Sequence, residues 1–585
     1  MRRPRLSGAR RNRAPELLLG ALFGWILLWA LTNPLGTAPD EPSHYAKVVA
    51  AGHGHILGAA VPFAEIQALR AFNEDSLRQV RNAYRSFLVP ADLRVTTNPP
   101  CTALHRDASA TCLRRPAVVP NGRINSIVGA YPPWLYIPEG ILTRAGWSVQ
   151  SGYILARLGS ALISVGLLGA GLWLLLSGQP PDGTRPGERR ADRIRNQRPV
   201  LLAGFAVAVT PMVLFLSSQA GTSGAEVTGA IASIAAVLRL SRAEQPTARM
   251  WLVAGAVLTT TALSRPLAPL WVAFAITIGI GRIGGRAVLG RVRAAGPPGA
   301  AAVAVTVTGL AATVLWTQSL SLRTPVLWGR LGHGLAVAVD LAPESARQAV
   351  GVFGWQSVPI PSAVYWLWGL LAAGLFLAAF AVGGWRDRAL LAGSLAMVVA
   401  TYELLAAAVF IQNGFGMQGR YILPALVMLP LLSVEVLAGR LPARLSGQSA
   451  AVATGVIAMT AVSQFFAWAA NSRRYAVGVD GPLWFVSGSA WSPPGGWLVW
   501  LVLACLPVTM TLAAARSSAA VRIGRPYSPG AHRYAATDPA TDPATDPATE
   551  PATDETDETD ETENRTTRPT PSGNPGGMLH WDNSA

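Results

Sequence analysis

The sequence predicts an all-α, polytopic membrane protein with about twelve transmembrane helices, and three observations predict this fold class. The chain is 51% hydrophobic and only 14% charged, whereas soluble proteins carry roughly 25% charged residues. Its mean hydropathy is positive, at +0.33. Apolar runs long enough to cross about 30 Å of hydrocarbon recur along the chain, and the arginines concentrate in the short segments between them.

The first predicted span, 15–33, follows the basic N-terminus 1–14. A secretory signal peptide begins in the same way. The apolar core is long, however, and no A-x-A site follows it, so we predict an uncleaved helix with a cytoplasmic N-terminus. The other predicted spans of the membrane domain 15–515 are 151–177, 200–218, 225–240, 251–264, 266–280, 298–318, 361–383, 389–411, 420–439, 449–470 and 496–515.

The number of spans depends on Ser264-Arg265-Pro266, which separates the short segments 251–264 and 266–280. One bent helix is the alternative, and it would invert the topology of everything downstream. If 251–264 and 266–280 are separate spans, the arginine-rich connections lie in the cytoplasm, as the positive-inside rule requires. These connections are 185–198, 281–293, 384–388, 439–444 and the start of the tail at 516–525.

This topology predicts a bacterial plasma-membrane protein with both termini in the cytoplasm. The net charge of +16 then needs no nucleic-acid partner, because the arginines orient the helices. The C-terminal tail, 516–585, contains the acidic repeat TDPATDPATDPATEPATDETDETDETE at 537–563. Such a segment has too few apolar residues to bury a core, so the tail is predicted to be disordered.

Three segments are predicted outside the cell: 34–150, 319–360 and 471–495. The first is long enough for a small domain, and it contains Cys101 and Cys112. Two cysteines in an external loop of a chain with three in all predict a disulfide, and two free thiols are the alternative. Cys505 lies inside the last span and is predicted to pack as a small apolar residue.

The stretch TAPDEPSHYAK, residues 37–47, concentrates ionisable groups directly after the first span, and Lys47 is the only lysine in the chain. A structural interpretation is a surface helix that begins at Pro42 behind an acidic cap. In the functional interpretation, His44 and Lys47 share a helix face. With the nearby acids Asp40 and Glu41, they would bind a cation, a phosphate or a sugar hydroxyl. Spacing alone leaves both interpretations open.

Four motifs together carry a resemblance to a known family: P-D-E-P-S-H-Y (39–45), N-P-P-C…C (98–112), Y-P-P-W-L-Y (131–136) and Q-G-R-Y-I-L-P (418–424). Over most of residues 15–510 the chain resembles the bacterial membrane family called domain of unknown function 2142. That family is common in actinobacteria and is grouped with the GT-C glycosyltransferases. The arginine- and alanine-rich composition fits a high-GC actinobacterial source.

The resemblance implies a transferase that moves a sugar from a polyprenyl-phosphate donor to a cell-envelope acceptor at the outer membrane face. Asp40 and Glu41 match the acids that act in the superfamily as base toward the acceptor hydroxyl or as metal ligands. A divalent cation, Mg²⁺ or Mn²⁺, is therefore a candidate cofactor. Such a transfer needs a proton acceptor and positive charge at the leaving phosphate.

Candidate phosphate ligands are basic, external and close to the membrane. Arg420, beside Tyr421, lies at the mouth of the tenth predicted span, and Arg265 lies at the tip between the fifth and sixth. His44 and Lys47 are the local candidates. The alternative for each arginine is a snorkelling interfacial anchor.

Ionisable groups within spans are costly, by about 2.5–3.5 kcal/mol on insertion scales, and normally face a cavity or a partner. Glu226 and Glu403 are therefore candidates to line the site, while Arg157 and Glu403 are also predicted to pair with each other or with neighbours. Glu435 is predicted to be structural. Tyr131 begins the aromatic stretch 131–136, which is either an interfacial aromatic belt or a platform for a sugar ring or isoprenoid chain.

The alternative function is a transporter or lipid-handling protein without covalent chemistry, which would need a midplane cavity around Arg157 and Glu403. An interaction scaffold that uses the acidic tail is a third interpretation. No G-x-x-x-x-G-K, H-E-x-x-H or C-x-x-C motif occurs, which excludes nucleotide-driven, zinc-protease and zinc-finger functions of those types. The oligomeric state is left open.

Overall fold

A computed structural model describes residues 13–68, 81–113, 122–177, 198–243, 245–320, 328–442 and 445–520. The predicted disordered repeat at 537–563, the basic N-terminus up to residue 12 and most of the arginine-rich connection 185–198 lie outside these residues.

Helices dominate the described part of the chain. In order they are α1 Ala14–Thr32, α2 Glu41–Gly52, α3 Phe63–Ala68, α4 Tyr136–Ile141, α5 Val149–Leu176, α6 Arg198–Ala208, α7 Pro211–Ser217, α8 Ser223–Arg242, α9 Ala248–Ala262 and α10 Ala268–Ile283. They continue as α11 Gly285–Ala294, α12 Pro297–Ser319, α13 Leu331–Gly351, α14 Ser362–Val382, α15 Trp385–Asn413, α16 Leu423–Leu426, α17 Met428–Arg440, α18 Ser446–Val477 and α19 Gly496–Ala520.

Within the described residues, 9 helices, counting α16 and α17 as one, are long and apolar enough to cross a membrane, or up to 11 with two bent pairs. This confirms an all-α polytopic membrane protein, whose apolar helices contact the lipid bilayer. The predicted count of twelve is not confirmed. The fifth predicted span, 251–264, coincides with α9, which has only 15 residues and is shorter than a typical transmembrane helix.

The two bent pairs have local causes. Helices α6 and α7 meet at 66°, where Thr210 caps α7 by accepting a hydrogen bond from the Val213 N–H, and Pro211 occupies the first helical position. Proline is favoured there because its missing N–H would have no partner in the helix. Helices α10 and α11 meet at 99° at Gly284, whose φ of +82° favours glycine.

One end of the helix bundle carries the long segment 33–148, and we call it the loop face. Here β1 Ala59–Ala60, β2 Arg85–Leu88 and β3 Arg123–Ser126 form an antiparallel sheet with Ser86 opposite Asn125. A smaller antiparallel pair, β4 Val352–Phe353 with β5 Val358–Pro359, follows α13. Helix α13 lies within 319–360, where only a loop was predicted.

The long segment is fixed to the bundle in two ways. Cys101 and Cys112 form a disulfide with a Cα–Cα distance of 6.2 Å. Arg474, near the end of α18, donates hydrogen bonds to the carbonyl oxygens of Thr102 and His105, at 2.8 and 2.6 Å. A guanidinium that is shared among backbone carbonyls satisfies polar groups that burial would otherwise leave unpaired.

Helix α2 is buried along its whole length. Tyr45 and Val48 of this helix pack with Phe87 of the sheet and with Tyr136 and Tyr153 on the neighbouring helices. The predicted helix after Asp40 is therefore present, but the sheet and α4 cover it, so it is not an exposed surface helix.

Candidate functional site

Asp40 immediately precedes α2 and adopts a left-handed backbone conformation, with φ 60°. Its carboxylate makes no capping hydrogen bond to the helix, although an acid before Pro42 predicted one. Instead, Asp40 Oδ2 accepts a hydrogen bond from Arg420 Nη2 at 2.8 Å. A non-glycine residue with positive φ is uncommon, and here it turns the side chain toward a residue far away in the sequence.

Arg420 lies in the short 3₁₀ turn Gly419–Tyr421 before α16. Its Nη2 also contacts the Tyr421 hydroxyl at 3.3 Å, and its guanidinium lies 5.2 Å from the centroid of the Tyr421 ring. The Nε atom finds no hydrogen-bond partner among the described residues. The Arg420 side chain is 9% exposed and that of Asp40 is 23% exposed, so the acid is the more accessible member of this pair.

A second arginine contacts the ring of the same tyrosine. Arg265, between α9 and α10, is 5.7 Å from the Tyr421 ring centroid and 5.5 Å from that of Tyr131. It donates to Ser223 Oγ at 2.9 Å and forms an ion pair with Glu226 at 3.4 Å. The other oxygen of Glu226 accepts a hydrogen bond from the indole of Trp271 at 2.8 Å.

The structure thus brings together several predicted site residues that are remote in sequence. We call this group the arginine–tyrosine cluster; its members are Asp40, Tyr131, Glu226, Arg265, Arg420 and Tyr421. It joins the segments before α2 and α4 to the first turn of α8, the α9–α10 connection and the turn before α16. Its formal charges balance, with two arginines against two carboxylates.

Glu41 does not belong to the cluster. Its two oxygens accept hydrogen bonds from Arg157 Nε and Nη2 at 2.7 and 2.9 Å, and one also accepts from the Ala220 N–H at 3.2 Å. Both side chains are fully buried. Because its carboxylate is paired and enclosed, Glu41 is less suited than Asp40 to the predicted role of catalytic acid or metal ligand.

Arg157 completes its hydrogen bonding within the same enclosed site. Nη1 donates to the carbonyls of Ala30 and Asn33, and Nη2 to that of Pro34, at 2.8–2.9 Å. Of the two alternatives predicted for Arg157, pairing with a neighbour is the one observed, and the partner is Glu41 rather than Glu403. Glu403 lies on α15, and its Oε2 finds no hydrogen-bond partner in the described part of the chain. Among the described residues, no hydrogen bond or ion pair connects Glu403 to the cluster.

Lys47 and His44 form hydrogen bonds to the segment 129–136 beside the cluster. The Lys47 ammonium donates to the carbonyl oxygens of Gly129, at 2.7 Å, and Tyr131, and lies 4.9 Å from the Tyr136 ring centroid. His44 Nδ1 and the Tyr136 hydroxyl share a hydrogen bond of 2.7 Å. Both residues are buried, so they are less accessible to a phosphate than Arg420, and their direct contact with one stays a prediction.

Burial also changes the pKa of these two side chains. It lowers the pKa of Lys47 well below its ordinary value, and the nearby Arg85 lowers it further. The pKa of His44 is likewise lowered, first by burial and then by Arg265, Arg420 and Lys47. Burial thus disfavours the charged form of both side chains.

The aromatic stretch 131–136 turns inward at the loop face. Tyr136 is fully buried, its ring stacks on His44 at a centroid distance of 5.9 Å, and Tyr131 contacts Arg265. Trp134 packs against Trp316 of α12. Tyr136 is thus part of the buried interior, and Tyr131 is half-buried beside Arg265; an interfacial belt and a sugar or isoprenoid platform both stay predictions for this stretch.

Sequence reasoning missed Glu139 of α4. This buried carboxyl accepts a hydrogen bond from the Gly221 N–H, and burial raises its pKa to about 8, a rise that the N–H bond opposes and Glu41 supports. Gly221 has a φ of +120°, and an added Cβ would lie 2.7 Å from the His44 ring. The available signal was one acid in the apolar segment YIPEGI, since isolated acids in such segments are costly.

The predicted Mg²⁺ or Mn²⁺ does not fit the side chains present. In the described ranges, no group of three or more His, Cys, Asp and Glu side chains converges. Asp40 is paired with Arg420, and both oxygens of Glu41 are held by Arg157. Divalent cations of this type prefer several oxygen ligands, so no step below is assigned to a metal.

The fold and the cluster define a class: a helical membrane protein with a buried polar site at one end of its bundle. The chain belongs to the family described as predicted membrane protein (DUF2142), whose profile matches residues 23–429. All six members of the arginine–tyrosine cluster lie within that range. No curated protein matches the chain, and no solved structure does.

Proposed function

We propose that this protein is a membrane glycosyltransferase. It would transfer a sugar from a polyprenyl-phosphate donor to a cell-envelope glycan, glycolipid or protein. In this proposal the loop face lies outside the plasma membrane of an actinobacterial cell, and both termini lie in the cytoplasm. The observation that carries it is the Asp40–Arg420 ion pair, with Arg265 also within 5.7 Å of the centroid of the Tyr421 ring.

The proposed transfer is a displacement at the anomeric carbon of the donor sugar. The acceptor oxygen forms a bond to that carbon while the bond from the carbon to the phosphate oxygen breaks. The leaving polyprenyl phosphate keeps the bonding electron pair, and the acceptor proton passes to the Asp40 carboxylate. A positioned base of this kind contributes roughly 10²–10⁴-fold to a rate.

Arg420 and Arg265 are suited to the leaving phosphate. Arginine stays charged at any physiological pH, and its planar fork matches phosphate oxygens. The unpaired Nε of Arg420 supplies a donor before any existing bond has to break. Phosphate binding at Arg420 would also release Asp40 from its ion pair, so that the carboxylate is available when the acceptor arrives.

The choice of Asp40 over Glu41 as base follows from access. Asp40 retains partial exposure, with one ion-pair contact at 2.8 Å. Glu41 is enclosed and bound through both oxygens. Removing Glu41 from Arg157 would leave two uncompensated buried charges, a cost of several kcal/mol, which makes proton transfer through Glu41 unfavourable.

The test is complementation of a deletion strain in the native host, with envelope glycans and polyprenyl-phosphate sugars measured by mass spectrometry. Asp40→Asn at normal abundance is expected to leave the glycan absent and a lipid-linked sugar accumulated, as in the deletion strain. Asp92→Asn is the matched control, since Asp92 is an exposed acid of the same loop. Restoration of the parental profile by Asp40→Asn would overturn the proposal.

A further inference from the structure

A cleft of about 500 Å³ lies between α10 and the first half of α15, at the end of the bundle opposite the loop face. Helix α10 begins beside Arg265 of the arginine–tyrosine cluster, and the cleft lies at the other end of this helix. Its lining residues Thr277, Gly281 and Gly393 are exposed at the surface of the bundle. Because these helices contact the bilayer, the cleft opens sideways toward lipid.

The depth of the cleft matches one leaflet. Its apolar walls include Ile278 of α10 with Leu390 and Met397 of α15. A Cβ added at Gly393 would meet no atom within 4 Å, so the cleft is open at this position. From Arg386 to Met397 it follows α15 for about 16 Å at the helical rise per residue. This is about half of the 30 Å hydrocarbon thickness, which is the depth that one acyl chain occupies.

Trp385 and Arg386, the first residues of α15, form the polar end of the cleft. Trp385 is 75% exposed, and the Arg386 guanidinium lies 5.3 Å from the centroid of its ring. Among the described residues, no carboxylate forms an ion pair with Arg386. Indole rings favour the headgroup level of a bilayer, and a guanidinium matches two phosphate oxygens at once. This end of the cleft is therefore suited to a phospholipid headgroup.

The acids around this end of the cleft already have partners. Asp387 pairs with Arg440 at 2.6 Å. Glu435 of α17 holds two arginines at once, each at 2.9 Å. Arg386 therefore adds a positive charge that these carboxylates do not offset, and such a charge favours an anionic headgroup over a zwitterionic one.

We propose that this cleft binds an anionic phospholipid, with the headgroup phosphate at Arg386 and one acyl chain passing Gly393 between α10 and α15. The lipid belongs to the leaflet on the side opposite the loop face. The site goes beyond the glycosyltransferase proposal and does not depend on it, since the cleft shares no residue with the arginine–tyrosine cluster.

The first test is native mass spectrometry of the full-length protein in detergent, titrated with phosphatidylglycerol and with phosphatidylcholine of identical chains. Phosphatidylglycerol is expected to bind more tightly. Arg386→Gln should weaken its binding about fivefold, as expected for the loss of one basic contact. Arg286→Gln on α11 is the matched control, because it removes the same charge from another exposed residue at this end of the bundle and should have a smaller effect.

A second variant tests the cleft without changing charge. Gly393→Phe fills the space beside α10 and should weaken phosphatidylglycerol binding at least as much as Arg386→Gln does. Gly374→Phe is its matched control, since Gly374 of α14 also has open space around an added Cβ and lies outside the cleft. Equal affinity for the two lipids would overturn the proposal. So would equal effects within either pair of variants, because each result would indicate general attraction to the protein surface.

Discussion

Asp40 and Glu41 are adjacent acids with opposite environments. Glu41 lies in a fully buried ion pair with Arg157, further fixed by the Ala220 N–H. Asp40 is partly exposed and holds Arg420 through one ion-pair contact. The left-handed backbone of Asp40 separates them, because it sends consecutive side chains toward different partners. The motif P-D-E-P therefore combines a structural acid with an accessible one.

The two acids also differ in the effect on stability when the carboxylate charge is removed. At Glu41, a lost carboxylate leaves a buried guanidinium without its counter-charge, and that is strongly destabilising. At Asp40, solvent and Tyr421 remain beside Arg420, and partly exposed ion pairs contribute only about 0–1 kcal/mol. Stability and activity should therefore respond to different members of the pair.

The largest expected effect is on the Glu41 side. Glu41→Gln should lower the free energy of unfolding by about 3–5 kcal/mol, because Arg157 stays charged and buried. Thermal unfolding of the purified protein in detergent checks this. The double variant Glu41→Met, Arg157→Met removes both charges and should recover most of the loss, whereas a single variant as stable as the parent would contradict a closed ion pair.

A second effect concerns pH, through Glu139 beside Glu41. The folded pKa is raised to about 8 from an ordinary value of 4.5, so the folded state keeps a proton that the unfolded state loses between these values. The stabilisation is complete below about pH 4.5 and is lost as pH rises through 8. The loss of stability between pH 6 and 8 should amount to at most about 2.7 kcal/mol.

The measurement is the melting temperature against pH for the parent and Glu139→Gln. Glutamine keeps an oxygen for the Gly221 N–H without ionising, so the variant should lose the decline between pH 6 and 8. A parallel decline in both proteins would show that Glu139 does not titrate in this way.

Gly221 provides a smaller test of the same region. Gly221→Ala adds a Cβ at a φ of +120° and 2.7 Å from the His44 ring, so the variant should be less stable by about 1–2 kcal/mol. Gly455→Ala, on α18 with open space around an added Cβ, is the control and should match or exceed the parent. Equal melting temperatures for both variants would contradict the close packing of Gly221 on His44.

Much of the fold was predictable from the sequence because membrane helices have a strong compositional signal. The predicted spans all coincide with helices or bent helix pairs, since apolar length alone locates them. The bend at Gly284 and the helix 331–351 were missed. A chain turn at one glycine does not change the average hydropathy, and the helix 331–351 contains no apolar run long enough to predict a span.

The sequence predicted which residues belong to the candidate site, but it did not predict what each of them contacts. Candidate residues such as Asp40, Arg265 and Arg420 do lie in one cluster, although they belong to separate parts of the chain. The sequence did not separate Asp40 from Glu41, since the difference depends on one backbone angle. Nor did it show that Lys47 would be bound by carbonyls, because burial of α2 depends on the sheet and α4 folding over it.

Substitution of Asp40 is expected to change stability least and activity most. Asp40→Asn should alter the free energy of unfolding by less than about 1 kcal/mol while lowering sugar transfer by at least about 100-fold. The central measurement is therefore the envelope glycan formed per folded protein in the deletion strain carrying Asp40→Asn. We predict a level close to that of the deletion strain, with a parental melting temperature. A parental glycan level would contradict the assignment of Asp40 as the accessible, catalytic acid.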